Sequence, residues 1–166
     1  MASVSPPGAA QVFENLVPPG QRVIEIGCGQ GDLLAALKPF YGMGVDFSAE
    51  MVARARQKHP GLTFVEADAH ELALEESGRP RTFDVIILSD LVNDVWDVEQ
   101  VFQRIRPLAT PSTRVIVNYY SRVWAPLLAL AAKLGLATPK LAQNWLVPED
   151  VSNLLYLAGF ETSPSR

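Results

Sequence analysis

Residues 23–34 read VIEIGCGQGDLL and set Gly27, Gly29 and Gly31 between an apolar run and a leucine-rich one. Glycines at such a junction form a tight turn and let a ligand reach bare backbone. The stretch also carries Glu25 and Asp32, and further acids stand at the ends of later apolar runs: Asp46 in GMGVDF, Asp68 after LTFVEA, Asp90 after FDVIILS. A carboxylate at the end of the second strand of a βαβ unit can accept from both hydroxyls of a vicinal diol. Glu25, Asp46, Asp68 and Asp90 all fall at or just after the carboxyl end of a predicted strand, and four such acids in one crevice are hard to explain as scaffold.

The charge of this loop bears on the ligand. A dinucleotide fingerprint is G-x-G-x-x-G, whereas here the spacing is G-x-G-x-G and Asp32 takes the place of the third glycine. A pyrophosphate would sit poorly beside Glu25 and Asp32, while an ammonium would be held by a carboxylate. The expected cofactor is adenosine-like, phosphate-free and positively charged, which describes S-adenosylmethionine. A nucleotide (NAD-type) dependent oxidoreductase is the competing enzyme reading, and a cofactor-binding module of a longer protein the non-catalytic one.

Several of these residues also have local roles open to them. Asp46 could steady the turn before Ser48, an N-cap candidate, although a strand-end acid is expected to matter little for folding. Asp68 could make a local turn bond, and Asn93 and Asp94 could cap the following helix. Cys28 is a small residue suited to a tight loop, with nothing nearby in sequence to lower its pKa. His59 and His70 lack metal-ligand partners at suitable spacing, so no metal is expected. Of Tyr119 and Tyr120, alternation sends one to each face of a strand.

The elements that must position these residues alternate in period. RVIEI, GMGVDF, LTFVEA, FDVIILS and TRVIVNYY are short apolar runs bounded by turn residues and read as buried strands. Between them lie one-sided helical patterns: Leu33, Leu34 and Leu37; Met51, Val52 and Ala55; Val95, Val98, Val101, Phe102 and Ile105. PEDVSNLLYLAG, with Pro148 at its start and Gly159 as its stop, is a further helix, and GAAQVFENL a weaker one. This order predicts an α/β fold: a doubly wound, mainly parallel Rossmann-like sheet with helices on both faces and its ligand beyond the carboxyl ends of the strands.

At 166 residues the chain is expected to be one domain, with a core over about 15–160. A net charge of −4 without a basic run excludes a broad nucleic-acid surface. The start lacks the charged and apolar regions of a signal peptide, and VWAPLLALAAKLGLA is too short and interrupted for a span, so a cytoplasmic protein is expected.

The motif VIEIGCGQG resembles the E-x-G-x-G-x-G signature of the class I (seven-stranded, Rossmann-like) S-adenosylmethionine-dependent methyltransferases. VGVDFSAEMVARAR, FVEADAHEL and FDVIILSDLV are similar to its next three blocks in the right order. The resemblance implies that the loop Gly27, Cys28, Gly29 and Gly31 passes beside the methionine part with Glu25 beneath it. It implies Asp46 on the ribose hydroxyls, Phe47 bordering the adenine, and Asp68 facing the adenine amino group with the Ala69 N–H nearby. Ser89 and Asp90 would line the methyl-donor side, and Asp90 and His70 are the candidates for a general base.

The acceptor would be a small molecule chosen by the N-terminal helix, residues 90–95 and the segment 119–148. NWLVPEDVSNLLYLAGFE is similar to methyltransferase domains encoded beside bacterial glycosyltransferases, which implies a glycan or lipid-linked acceptor. The family adds a C-terminal hairpin after the last helix. FETSPSR offers at most a stub, so that hairpin is expected to be missing or truncated and the open sheet edge covered by a homo-oligomer or another domain.

Overall fold

The computed structural model describes residues 9–76, 78–89, 91–92, 95–118 and 147–161. Its helices are α1 (Ala9–Leu16), α2 (Asp32–Ala36), α3 (Ala49–Lys58), α4 (Val98–Ile105) and α5 (Pro148–Leu157). Its strands are β1 (Arg22–Ile26), β2 (Tyr41–Asp46), β3 (Thr63–Glu66), β4 (Glu75–Glu76), β5 (Arg79–Pro80), β6 (Phe83–Leu88) and β7 (Ala109–Val117). Five of these form one sheet in the order β3-β2-β1-β6-β7, and every pairing in it is parallel. The chain moves outward from β1 to β3, then crosses back to β6. That reversal puts the switch point in strand order at the carboxyl end of β1, where the glycine loop begins.

Alternation along the strands builds a core on each face. Ile24, Ile26, Ile86 and Leu88 turn to one side, where Val98, Val101, Phe102 and Ile105 of α4 and Val151 of α5 pack. Val23, Val85 and Ile87 turn to the other, against Phe13 of α1, Leu34 of α2 and Val52 and Ala55 of α3. Each fully buried aliphatic side chain contributes roughly 1.5–3 kcal/mol relative to exposure. Strands buried on both faces explain why the sequence shows continuous apolar runs there.

Three local features differ from the sequence expectation. The strand expected from Thr113 begins at Ala109: Phe83 pairs with Ala109 and Val85 with Arg114, so the residues between bulge out of the edge strand. Thr113 Oγ1 donates to the Phe83 carbonyl at 2.6 Å and accepts from the Thr110 amide at 2.7 Å, replacing ladder bonds. The antiparallel pair β4–β5, turning at Gly78 with φ +75°, is too short to leave a periodic signal. The cap of α4 is Asp97, whose side chain accepts from the Gln100 amide at 2.9 Å, so the helix starts beyond Asn93 and Asp94.

Other features agree. Ser48 caps α3 by accepting from the Met51 amide, and Gly159 follows α5 with φ +83°. Among the described residues, no helix is long and apolar enough to cross a membrane. Tyr119, Tyr120 and residues 121–146 of the acceptor-side segment lie outside the described residues, as do Asn93 and Asp94.

Candidate cofactor site

All three loop glycines adopt left-handed backbone, with φ +80° at Gly27, +51° at Gly29 and +76° at Gly31, but the space around them differs. A Cβ on Gly27 would come 3.1 Å from the Ser89 carbonyl oxygen, and one on Gly31 would come 2.5 Å from the ring of Phe64. These two glycines let the loop pack on β6 and on β3. Among the described residues, a Cβ on Gly29 would meet nothing within 4 Å. Gly29 alone of the three presents open backbone, which is what a ligand cradle needs.

Asp46 fixes that cradle. It is 9% exposed; Oδ2 accepts from the Gly29 amide at 2.8 Å and Oδ1 from the Ser48 amide at 2.9 Å. One carboxylate therefore joins the glycine loop to the start of α3. Each oxygen retains a lone pair for a hydroxyl donor. Phe47 follows and stands 77% exposed.

Glu25 lies beneath the loop, 2% exposed, accepting from the Leu34 amide of α2 at 3.2 Å and from the Ser89 side chain. Burial lifts its carboxyl to about 8, against the lowering effect of those two bonds. At neutral pH it is mostly uncharged. Asp32 points to α3, where Lys58 Nζ and His59 Nε2 approach it at 2.7 and 2.9 Å. Partial burial raises its carboxyl, but those partners outweigh this and leave it below the ordinary range. The expectation that Glu25 and Asp32 repel a pyrophosphate is thus corrected: one is mostly protonated, and the other is paired with the Lys58 ammonium and bonded to His59. Asp46 is the acid left at the loop.

The buried Glu25 makes stability depend on pH with a defined sign. Below pH 4.5, its ordinary value, the carboxyl is protonated in both folded and unfolded chains. Between 4.5 and about 8 the unfolded chain loses the proton while the folded one keeps it, so this contribution to stability falls as pH rises. Glu25→Gln removes that loss. Melting curves from pH 5 to 8 are expected to show the variant gaining on the wild type as pH rises; parallel curves would refute the assignment.

Cys28 is buried in the core beside Gly44, and burial pushes its thiol well above the ordinary range. It contributes loop backbone, and its side chain is packing. Asp68 caps the short 3-10 turn Ala69–Glu71; its Oδ1 accepts from the His70 amide at 2.8 Å and from His70 Nδ1 at 2.7 Å. Those bonds, the backbone one first, hold its carboxyl below the ordinary range. The His70 ring is buried, with Nε2 accepting from the Asp97 amide at 3.3 Å and Trp96 stacked on it at 4.5 Å. Both ring nitrogens are engaged. His70, expected as a general-base candidate, has a partner on each ring nitrogen here, Asp68 on one side and the Asp97 amide on the other. Ala69 is buried beside Asp68, Ser89 is half-buried at the end of β6, and Asp90 lies outside the described residues.

Sequence reasoning missed Asp97, Trp96 and the pairing of Asp32 with Lys58 and His59. Asp97-x-x-Gln100 has the spacing of a capping box and could have located the helix start. The pairing of Asp32 with Lys58 and His59 spans 26 and 27 residues and leaves no local pattern. Among the described residues, no group of acids, histidines and cysteine could hold a metal ion.

Residues 18–154 fit the family model described as "Methyltransferase domain". The chain is 34% identical over 128 residues to a phosphatidylethanolamine N-methyltransferase of Cereibacter sphaeroides, covering 70% of this chain and 59% of that protein. It is 24% identical over 159 residues to a ubiquinone biosynthesis O-methyltransferase of Neisseria meningitidis serogroup A, covering 89% of this chain and 66% of the other. The chain thus spans about three-fifths to two-thirds of these relatives. Its fold is that of the magnesium protoporphyrin IX methyltransferase of Synechocystis PCC 6803, solved with bound S-adenosylhomocysteine: the TM-score is 0.70 at 22% identity, over 95% of this chain and 75% of the other. The chain belongs to the methyltransferase-domain family, within the class I, Rossmann-like S-adenosylmethionine-dependent methyltransferases.

Proposed function

We propose that the crevice over β1, β2 and β3 binds S-adenosylmethionine and that the protein transfers its methyl group to a small, lipid-like acceptor. The observation that carries this reading is Gly29: left-handed, with open space where a side chain would stand, its amide held by Asp46. The residues present suit the cofactor. Gly27, Gly29 and Gly31 would leave room for its methionine part, Asp46 would take the ribose hydroxyls, and Phe47 and Asp68 would meet the adenine. When bound, the cofactor supplies a methyl group already activated by its sulfonium.

The chain's own contribution is to orient the acceptor and exclude water, effects worth up to about 7–11 kcal/mol in well-aligned systems. Neutral Glu25 supports the loop from below without adding charge to it. The relatives named for phosphatidylethanolamine and ubiquinone biosynthesis favour a lipid-linked acceptor over a glycan. The experiment is transfer of labelled methyl from S-adenosylmethionine into phosphatidylethanolamine, into a demethylated quinone and into a soluble glycan. Label in a lipid fraction supports the proposal. Binding of the cofactor without transfer to any acceptor would reduce the chain to a cofactor-binding module.

A further inference from the structure

We propose that His70 is a positioning residue for cofactor recognition: its ring clamps one oxygen of Asp68 so that the other is presented to the adenine amino group. This rests on the cofactor reading above and assigns His70 a role other than proton transfer. The partners of the ring fix its tautomer. A carboxylate can only accept and the Asp97 amide can only donate, so Nδ1 carries the proton toward Asp68 and Nε2 receives the Asp97 N–H. Both bonds from His70, backbone and ring, land on Asp68 Oδ1. Oδ2 has no hydrogen-bond partner among the described residues, on a side chain 54% exposed. One oxygen is locked and the other is free, which pre-orients an acceptor for an N–H donor.

The clamp is anchored on its far side. Asp97 caps α4, and Gln100 and Arg104 of that helix donate to the His70 carbonyl at 3.3 and 3.0 Å. Trp96, 73% exposed, covers the ring and shields it from water. A residue needed only to cap a turn would not require its ring nitrogens matched in this way, because the backbone N–H of residue 70 already caps it.

Two substitutions separate positioning from general support. His70→Asn sets an amide N–H close to where Nδ1 lies and keeps the bond to Asp68. His70→Gln reaches toward Asp97 and abandons Asp68. Calorimetry on the full chain would compare S-adenosylhomocysteine with S-inosylhomocysteine, which carries a carbonyl in place of the 6-amino group, after circular dichroism confirms folding.

Wild type and His70→Asn are expected to prefer the adenosyl ligand by roughly tenfold, the size of one charge-assisted bond. His70→Gln is expected to lose roughly tenfold for the adenosyl ligand and to bind the two ligands alike. If His70→Gln keeps the preference, or loses both ligands equally, the inference is overturned. Failure of the wild type to bind S-adenosylhomocysteine at all would bring down the cofactor reading itself.

Discussion

Gly31→Ala is expected to destabilise the fold by roughly 2–4 kcal/mol, whereas Gly29→Ala costs only about 1 kcal/mol and instead weakens S-adenosylhomocysteine binding at least ~10-fold. Both positions have positive φ, so both substitutions carry backbone strain. They differ in what the new methyl meets. At residue 31 it would lie 2.5 Å from two ring carbons of Phe64. That ring is 4% exposed and is also packed against Gly44, so it has nowhere to move. At residue 29 the methyl enters open space, so folding is nearly spared. The same space is where the cofactor must approach the backbone. Thermal melts and calorimetry on both variants decide the matter: a Gly29→Ala protein that binds as tightly as wild type would remove the loop from the site.

Asp46→Ala is the second large effect, and here the structure changes the expectation drawn from the sequence. Read as a strand-end acid facing a crevice, Asp46 should matter for ligand and little for folding. At 9% exposure, with the Gly29 and Ser48 amides both on its oxygens, it also holds the folded loop, so a loss of stability is expected beside the loss of affinity. Removing it leaves two backbone donors without their acceptor, a cost of about 1–3 kcal/mol for each that stays dry. The ribose hydroxyls lose a charge-assisted partner at the same time, so affinity should fall at least ~10-fold. Melting of the unliganded variant reads the first effect and calorimetry of its folded fraction the second. Unchanged affinity in a destabilised protein would confine Asp46 to the turn.

The sheet was legible because its strands are buried on both faces and bounded by turn residues. RVIEI matches β1 residue for residue, and the ends of β2, β3 and β6 fall within a residue of the expected runs. The glycine loop and the strand-end acids were legible because their spacing is local. The edge strand β7 was not, since TPST reads as a turn and its irregular pairing is held by threonine hydroxyls. Partners distant in sequence were equally invisible. Nothing in HEL at 70–72 announces that His70 meets Asp97, and nothing in GDLL at 31–34 announces that Lys58 and His59 reach Asp32. Those contacts change the charge read for the loop and give the His70 ring partners that its sequence neighbours do not announce. They leave the family assignment as the ordered motifs had it.

The central claim is that open backbone at Gly29, fixed by Asp46, cradles an adenosyl cofactor without phosphates. It is tested most directly by calorimetric titration of the wild-type chain with S-adenosylhomocysteine and, separately, with NAD. The expected result is saturable one-site binding of S-adenosylhomocysteine, with NAD at least ~10-fold weaker. Tighter binding of NAD, or no heat from S-adenosylhomocysteine at concentrations where the protein is folded, would contradict the account.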